Sequence, residues 1–197
     1  MQQVPAQLIN KQCLTQSLAI IEYLDEVFPE RPLLPKDPLQ RFIVRQISET
    51  FASGIQPLQN LGCLLKVSHQ KEKRIEFAAY FIRKGFDALE KLLKDTSSKY
   101  CVGDYVAMAD LCLIPQAAAA ERYNVSLDEY PTIQRIFLAL SELQPMKKAH
   151  AFGQEDCPAE WKFEGALKSQ ISGRNLKHSL NHNQTYFSTF YLYDIQQ

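Results

Sequence analysis

The residues Thr15-Gln16-Ser17 place hydroxyl and amide groups at the predicted start of a helix, directly after a short predicted strand. Unpaired backbone N–H groups and the helix dipole favour negative charge at such a position. The pattern is therefore suited to binding a carboxylate. The simpler interpretation is that Thr15 or Ser17 only caps the helix, as these residue types usually do, and both can hold at once.

Arg122 closes a predicted apolar helix. A guanidinium can hold a carboxylate through two parallel hydrogen bonds, which makes Arg122 a candidate carboxylate-binding residue. The alternative is an ordinary arginine at a helix C-terminus, stabilised by the dipole or paired with Glu121 or Asp128. Gln56 and Asn60 lie at a predicted bend. They are either candidate binding residues or ordinary surface polar residues, and residue type alone favours neither interpretation.

The composition argues against several classes of function. The five cysteines and four histidines show neither C-x-x-C pairs nor metal-ligand spacing, which predicts free, mostly packed thiols in a reducing compartment and no metal site. The 22 Lys and Arg equal the 22 Asp and Glu, so net charge favours neither nucleic acid nor a membrane surface as partner. No apolar stretch reaches the roughly 18 residues of a membrane span, and no signal-peptide pattern is present. We expect a cytoplasmic protein.

The elements that must position these groups begin with a short strand region. Residues 4–14 form the only convincing strand region, with a turn at Asn10-Lys11, and a helix follows from Gln16 to about Val27. Asp37-Pro38 then predicts the cap and first residue of a long helix. The rest of the chain reads as helical.

Gly54 and Pro57 should bend the long helix that begins after Asp37. A third helix is predicted over about residues 72–94, with one apolar stripe and a charged, solvated face. Residues 108–123 form a helix without a polar face, which predicts a central, buried position. Pro131 begins an amphipathic helix to about Leu143, and a short helix follows Pro145.

Five blocks of the sequence follow one another in a characteristic order. The blocks are Val4-Pro5, QSLAIIEYL from Gln16 to Leu24, IQPLQN from Ile55 to Asn60, YCVGD from Tyr100 to Asp104 and MADLCL from Met108 to Leu113. Taken together, they resemble a glutathione S-transferase of the zeta class, the maleylacetoacetate isomerases. The resemblance covers about residues 3–162, and the third block is the most specific to the class.

The resemblance implies a mainly α fold. A glutathione S-transferase C-terminal helical bundle would be preceded by the last β-β-α of a thioredoxin-like domain. We expect residues 1–30 to be a partial glutathione-binding domain, residues 31–163 the all-helical domain, and residues 164–197 an atypical, unstructured tail. The family's thiol-activating Ser-Ser-Cys segment does not occur in the sequence, and we therefore expect an N-terminally shortened form.

The resemblance also assigns candidate binding residues for glutathione. Val4, before Pro5, would pair its backbone with the cysteinyl part of glutathione, whereas an ordinary trans proline on an edge strand is the alternative. Gln16 and Ser17 would hold the γ-glutamyl carboxylate. The remaining candidates line the cleft between domains in the family and would contribute to the glutathione and substrate site. They are Gln56, Asn60, Leu61 and Gly62.

The implied reaction is the cis–trans isomerisation of maleylacetoacetate in tyrosine and phenylalanine breakdown. Glutathione thiolate adds to the double bond, the single bond rotates and elimination regenerates the cofactor. Arg122 would hold a carboxylate of this dicarboxylate substrate. The alternative is a catalytically silent module that binds ligands weakly or pairs with other subunits. The family's homodimer is a further expectation.

Asp110 resembles the family's folding residue, which closes a capping box with a Ser or Thr three positions earlier. That position is Ala107 here. Half of the box is therefore missing, which predicts a loss of roughly 1 kcal/mol at the start of the central helix. Restoring a hydroxyl with Ala107→Thr should raise thermal stability.

Overall fold

The structure is a computed structural model that describes residues 5–150 and 154–155. It is mainly helical, with one two-stranded sheet among these residues. By their contacts the residues divide into two compact units, one holding residues 18–141 and the other the residues on either side. The elements are β1 (Ala6–Ile9), β2 (Gln12–Thr15), α1 (Ser17–Val27), α2 (Pro38–Glu49), α3 (Leu61–Val67), α4 (Lys71–Thr96), α5 (Met108–Ala120), α6 (Pro131–Ser141) and α7 (Gln144–Ala149).

Strands β1 and β2 form an antiparallel hairpin whose register pairs Ala6 with Thr15 and Ile9 with Gln12. The two connecting residues, Asn10 and Lys11, have φ values of 48° and 68°. A two-residue hairpin loop with both residues in the left-handed region matches the twist of the strands. The predicted strands and turn are therefore confirmed.

Helix α2 begins as its sequence predicts, because Asp37 Oδ1 accepts a hydrogen bond of 2.8 Å from the Gln40 N–H and Pro38 occupies the first turn. Arg45 on α2 reaches Glu22 on α1 through two hydrogen bonds of 2.8 and 2.9 Å. The parallel hydrogen bonds fix the two side chains in one geometry and link the two helices.

The helix changes its type at the position of the predicted bend after α2. The helix widens into a π-helical segment, Thr50–Ile55, and then tightens into a 3-10 segment, Gln56–Gln59, with Pro57 in its first turn. Changes of helix type of this kind often mark a functional segment. Helix α3 starts immediately afterwards. Asn60, with a φ of −64° and a ψ of 137°, is extended and interrupts the helical backbone between the two segments.

Helix α5 is the central helix of residues 18–141, as its lack of a polar face predicts. Its side chains Leu113 and Ile114 are buried, and the helix packs against α2 and α6. Phe86 on α4 meets Tyr130 edge-to-face with ring centroids 5.2 Å apart. Two polar residues of α5, Asp110 and Gln116, are also buried.

The Asp110 carboxylate stabilises the start of α5 through two hydrogen bonds from backbone N–H groups. Its Oδ2 accepts the Ala107 N–H at 2.8 Å, and its Oδ1 accepts the Cys101 N–H at 2.9 Å. Ala107 has no side-chain acceptor, and the Asp110 N–H instead donates to the Ala107 carbonyl at 3.0 Å. Burial raises the pKa of the Asp110 carboxyl, while the N–H donors from Ala107 and Cys101 act in the opposite direction.

None of the helices in the described part of the chain is long and apolar enough to cross a membrane. Within the same residues, no group of three or more His, Cys, Asp and Glu side chains is arranged to hold a metal ion. The predicted tail, residues 164–197, lies outside the described residues, and the predicted domain boundaries stay predictions.

Candidate functional site

Gln16 and Ser17 lie where strand β2 passes into helix α1. Gln16 is exposed and has a φ of 74°, an uncommon value for a residue with a side chain. Ser17 is half-buried and is the first residue of α1, whose first turn carries no acidic residue. The chain therefore turns sharply into a helix start with no negative charge of its own, a geometry that suits a carboxylate. Val4, the third candidate in this region, lies outside the described residues.

The structure brings Gln56 and Asn60 together. Both side chains are half-buried, and Gln56 Nε2 donates to Asn60 Oδ1 at 2.9 Å. Leu61 is 44% exposed, and a side-chain carbon added at Gly62 would meet no atom within 4 Å. The start of α3, directly after Asn60, is therefore open to solvent.

A second amide pair, which the sequence did not predict, adjoins the first. Gln59 Nε2 donates to Gln116 Oε1 at 2.6 Å, and Gln116 Nε2 donates back to Gln59 Oε1 at 3.3 Å. The hydroxyl of Tyr123 donates to the Gln59 carbonyl at 3.1 Å. The available signal was a single glutamine inside the apolar helix α5, because a buried amide needs a partner.

Arg122 lies in the 3-10 turn Glu121–Tyr123 that follows α5. Burial lowers the pKa of its guanidinium, and burial raises the pKa of the neighbouring Tyr123 phenol. A guanidinium keeps its charge at neutral pH under such a shift, since its ordinary pKa is above about 12. A partly dehydrated cation attracts an anionic ligand more strongly than a fully hydrated cation does. Its neighbour Tyr123 is bonded to the same 3-10 segment that carries Gln56.

Two open concavities lie along α1 and α2. One, of about 540 Å³, is lined by residues of α2 and the π-helical segment, among them Phe42, Arg45 and Gly54. The other, of about 280 Å³, lies between α1, α2 and the start of α5, beside the Glu22–Arg45 pair. The Arg45 guanidinium holds the pKa of the Glu22 carboxyl below its usual value.

Comparison with known proteins identifies the family. The model of the glutathione S-transferase C-terminal domain matches residues 63–149, and that of the N-terminal domain matches residues 1–26. A maleylacetoacetate isomerase of Mus musculus is 52% identical over 160 residues, which are 81% of this chain and 73% of the mouse protein. This chain belongs to the maleylacetoacetate isomerase family.

Solved structures of other isomerases agree with this assignment. The maleylacetoacetate isomerase of Anaeromyxobacter dehalogenans, solved with dicarboxyethyl glutathione and citrate in its active site, is 37% identical and has a TM-score of 0.74 over 81% of this chain and 74% of its own. The holo structure of a maleyl pyruvate isomerase, a bacterial glutathione S-transferase in the zeta class, is 34% identical with a TM-score of 0.75 over 79% and 76%. The predicted zeta-class family and the mainly α glutathione S-transferase fold are confirmed for this isomerase-family chain.

Proposed function

We propose that this chain takes part in the glutathione-dependent cis–trans isomerisation of a small dicarboxylate of the maleylacetoacetate type, with an associated glutathione transferase activity, in tyrosine and phenylalanine breakdown. The observation that carries the proposal is the 52% identity to the mouse maleylacetoacetate isomerase. The ligands of the Anaeromyxobacter enzyme, dicarboxyethyl glutathione and citrate, support the same ligand class. The cytoplasmic location stays a prediction.

Glutathione, when bound, supplies a thiolate that adds to the double bond and leaves again once the bond has rotated. The described residues fit such a ligand, because α1 begins without an acidic residue and Gln16 turns the chain there with a φ of 74°. Gln16 and Ser17 would hold the γ-glutamyl carboxylate, and the backbone of Val4 would pair with the cysteinyl part. These roles use backbone and hydroxyl donors at a helix start, which bind carboxylates without a basic side chain.

Gln56 and Asn60 would add amide donors and acceptors at the second part of the site, with Leu61 and Gly62 beside them. Their mutual hydrogen bond of 2.9 Å keeps one acceptor of Gln56 and the donors of Asn60 available to a ligand. The exposed Leu61 offers apolar contact, and Gly62 leaves room for close approach.

Arg122 would bind one carboxylate of the substrate. Because the pKa shift of its guanidinium arises from burial, a dicarboxylate would meet a cation that is partly stripped of water. Arg122→Lys keeps the charge but loses the planar pair of donors, and it should raise the KM for the dicarboxylate by about tenfold or more. The KM for glutathione should change less. Arg31→Ala, at an exposed arginine, is the matched control.

The decisive experiment is an isomerase assay on the purified 197-residue chain with glutathione and maleylacetoacetate. Turnover that depends on glutathione supports the proposed function. Absence of turnover and of S-methylglutathione binding would contradict it for this polypeptide.

A second candidate function is a catalytically silent ligand-binding or dimerisation module. It is favoured by the sequence itself, since no Ser-Ser-Cys tripeptide, the family's thiol-activating segment, occurs in the 197 residues. Binding of S-methylglutathione without turnover would support this candidate, and glutathione-dependent turnover would exclude it. Adding a family-type strand and helix with Ser-Ser-Cys ahead of Val4 should then restore turnover.

We further propose a homodimer, which would bring together the surfaces of α2 from two copies. Leu39 is 67% exposed and Phe42 is 59% exposed on this helix. Large apolar side chains that are exposed on one helix favour association with a partner. Phe42 also lines the larger of the two concavities.

A further inference from the structure

The amide pair between Gln59 and Gln116 joins two elements that lie far apart in the sequence. Gln59 ends the 3-10 segment after α2, and Gln116 lies in α5, 57 positions further along the chain. Gln116 is only 4% exposed. Each side-chain amide donates one hydrogen bond to the other and accepts one from it. Both the N–H group and the carbonyl oxygen of the buried Gln116 amide therefore have a partner.

Gln59 is also held through its backbone. The Tyr123 hydroxyl donates to the Gln59 carbonyl at 3.1 Å from the 3-10 turn after α5. Helix α5 therefore holds the side chain of Gln59, and the 3-10 turn that follows α5 holds its backbone carbonyl. Three hydrogen bonds at a single position restrict both the translation and the rotation of the short segment that contains it.

The fixed residue lies between the two candidate ligand-binding amides. Gln56 begins the 3-10 segment, Asn60 follows it, and the two side chains are hydrogen-bonded to each other across Gln59. The Asn60 carbonyl then accepts the Leu64 N–H of α3 at 2.9 Å. A displacement of Gln59 would therefore move Gln56, Asn60 and the start of α3 together.

We propose that Gln59, Gln116 and Tyr123 form a clamp that positions Gln56 and Asn60 for glutathione. They are positioning residues, and their role rests on the proposed function of the Gln56–Asn60 region. The three residues of the clamp would not contact the ligand. They would fix the orientation of the Gln56 and Asn60 side-chain amides, which would contact it.

The chemistry of the pair argues against a purely structural role. Burying two amides gains little over burying two apolar side chains of the same shape, because the hydrogen bonds mainly repay the loss of hydration. An amide pair differs from an apolar contact in that it fixes one relative orientation. That property matters where a segment must present other polar groups with a set geometry.

Three variants separate orientation from stability. Gln116→Met removes both hydrogen bonds and leaves the Gln59 amide unsatisfied, so it should lower both the melting temperature and ligand affinity. Gln59→Met/Gln116→Met replaces the pair by two apolar side chains of similar size and should regain most of the melting temperature. Tyr123→Phe removes only the bond to the Gln59 carbonyl. Gln134→Met is the matched control, since Gln134 donates its amide to Asp128 on another surface.

The first measurement is the dissociation constant of S-methylglutathione, whose sulfur cannot ionise. We expect the double methionine variant to bind about tenfold more weakly than the wild type although its melting temperature is regained, and Tyr123→Phe to show a smaller loss of the same sign. Gln134→Met should bind as the wild type does. Wild-type affinity in the double variant would overturn the proposal, because a merely structural pair predicts that affinity follows stability.

The second measurement needs no ligand. Amide hydrogen exchange at Asn60 and Leu64 should quicken in the double variant and stay unchanged in Gln134→Met. If the wild type shows neither turnover nor S-methylglutathione binding, the proposed function fails, and the exchange rates alone decide whether the clamp orders this segment. Unchanged exchange at both amides would overturn the clamp even if the chain is an active isomerase.

Discussion

At the scale of single residues, the thiols of the described cysteines differ in reactivity. Cys13 is exposed on β2, whereas Cys101 is fully buried. The Cys112 thiol is packed inside the protein, and burial raises its pKa to about 12 and that of Cys101 well above its ordinary value. The prediction of mostly packed thiols therefore holds for Cys101 and Cys112 but not for Cys13. Cys63 is half-buried, and Cys157 lies outside the described residues.

This difference predicts the pattern of alkylation by iodoacetamide at pH 8. Because the thiolate is the nucleophile, a pKa of about 12 reduces the reactive fraction by about three orders of magnitude relative to an ordinary thiol. We expect Cys13 to be modified first and Cys101 and Cys112 to react only after unfolding, as read by mass spectrometry of the peptides. Equal labelling rates in the native chain would contradict this assignment, and denatured protein provides the control.

The cap of α5 is the second feature at this scale. Asp110 supplies one half of a capping box through the Ala107 N–H, and the hydroxyl half is missing. Ala107→Ser would provide an acceptor for the Asp110 N–H and should raise the free energy of unfolding by about 1 kcal/mol. Since Ala107 is fully buried, Thr adds a methyl group that must be accommodated, and its gain should be smaller than that of Ser.

Urea unfolding of Ala107→Ser, Ala107→Thr and Ala118→Ser measures this effect. Ala118 is a half-buried position inside α5 and should lose a few tenths of a kcal/mol, since serine is a poorer helix former than alanine. A stability of Ala107→Ser at or below that of the Ala118→Ser control would show that the missing hydroxyl costs nothing here.

At the scale of elements, the close approach of α4 to the π-helical segment depends on one glycine. A Cβ atom at Gly85 would overlap with Cδ1 and Cγ1 of the buried Ile55. Gly85→Ala should therefore destabilise by roughly 1–3 kcal/mol through overpacking, against a gain of about 1 kcal/mol in helix propensity. The net loss is measured by urea unfolding.

A double-mutant cycle tests the cause of that loss. Ile55→Ala removes both atoms that the new Cβ would meet, so the double variant should lose less stability than the sum of the single variants. Gly54→Ala is the control, because a Cβ there meets no atom within 4 Å. Additive losses would mean that Ile55 is not the obstacle.

The elements that sequence could predict are those whose signals are local. Asp37-Pro38 caps α2, Asn10-Lys11 turns the hairpin and Pro131 opens α6, each through groups a few positions apart. These interactions need no information about the rest of the fold. The starts of α2 and α6 and the position of the hairpin turn are therefore predicted to within one or two residues.

The features that sequence could not predict depend on distant residues. Pro57 and Gly54 indicate a bend, but they do not specify that α2 widens into a π-helical segment before it tightens. Gln116 pairs with Gln59 across 57 positions, and no local pattern encodes that contact. Part of the candidate site was visible as motifs, whereas the groups that hold it in place appear only once the helices are packed.

At the scale of the whole molecule, the proposed homodimer would use the face of α2 that carries Leu39 and Phe42. The concavity of about 540 Å³ beside Phe42 also includes Arg45 and Glu49, so the surface combines apolar and charged groups. Such a mixture is typical of interfaces between subunits, in which a buried aromatic residue supplies much of the binding energy. Because a two-fold interface uses the same surface twice, each substitution there acts at two positions.

Phe42→Asp should therefore convert the dimer into a monomer. Burying a phenylalanine side chain is worth about 1.5–3 kcal/mol, and two copies raise the dissociation constant by about two to four orders of magnitude, before any cost of burying the new carboxylates. Sedimentation velocity over a concentration series measures the shift. Leu138→Asp, at a leucine of α6 with the same 59% exposure, is the control and should leave the dimer intact. A monomeric wild type, or equal effects of the two substitutions, would exclude the α2 face as the interface, because only a side chain buried between two copies makes association depend on its apolar surface.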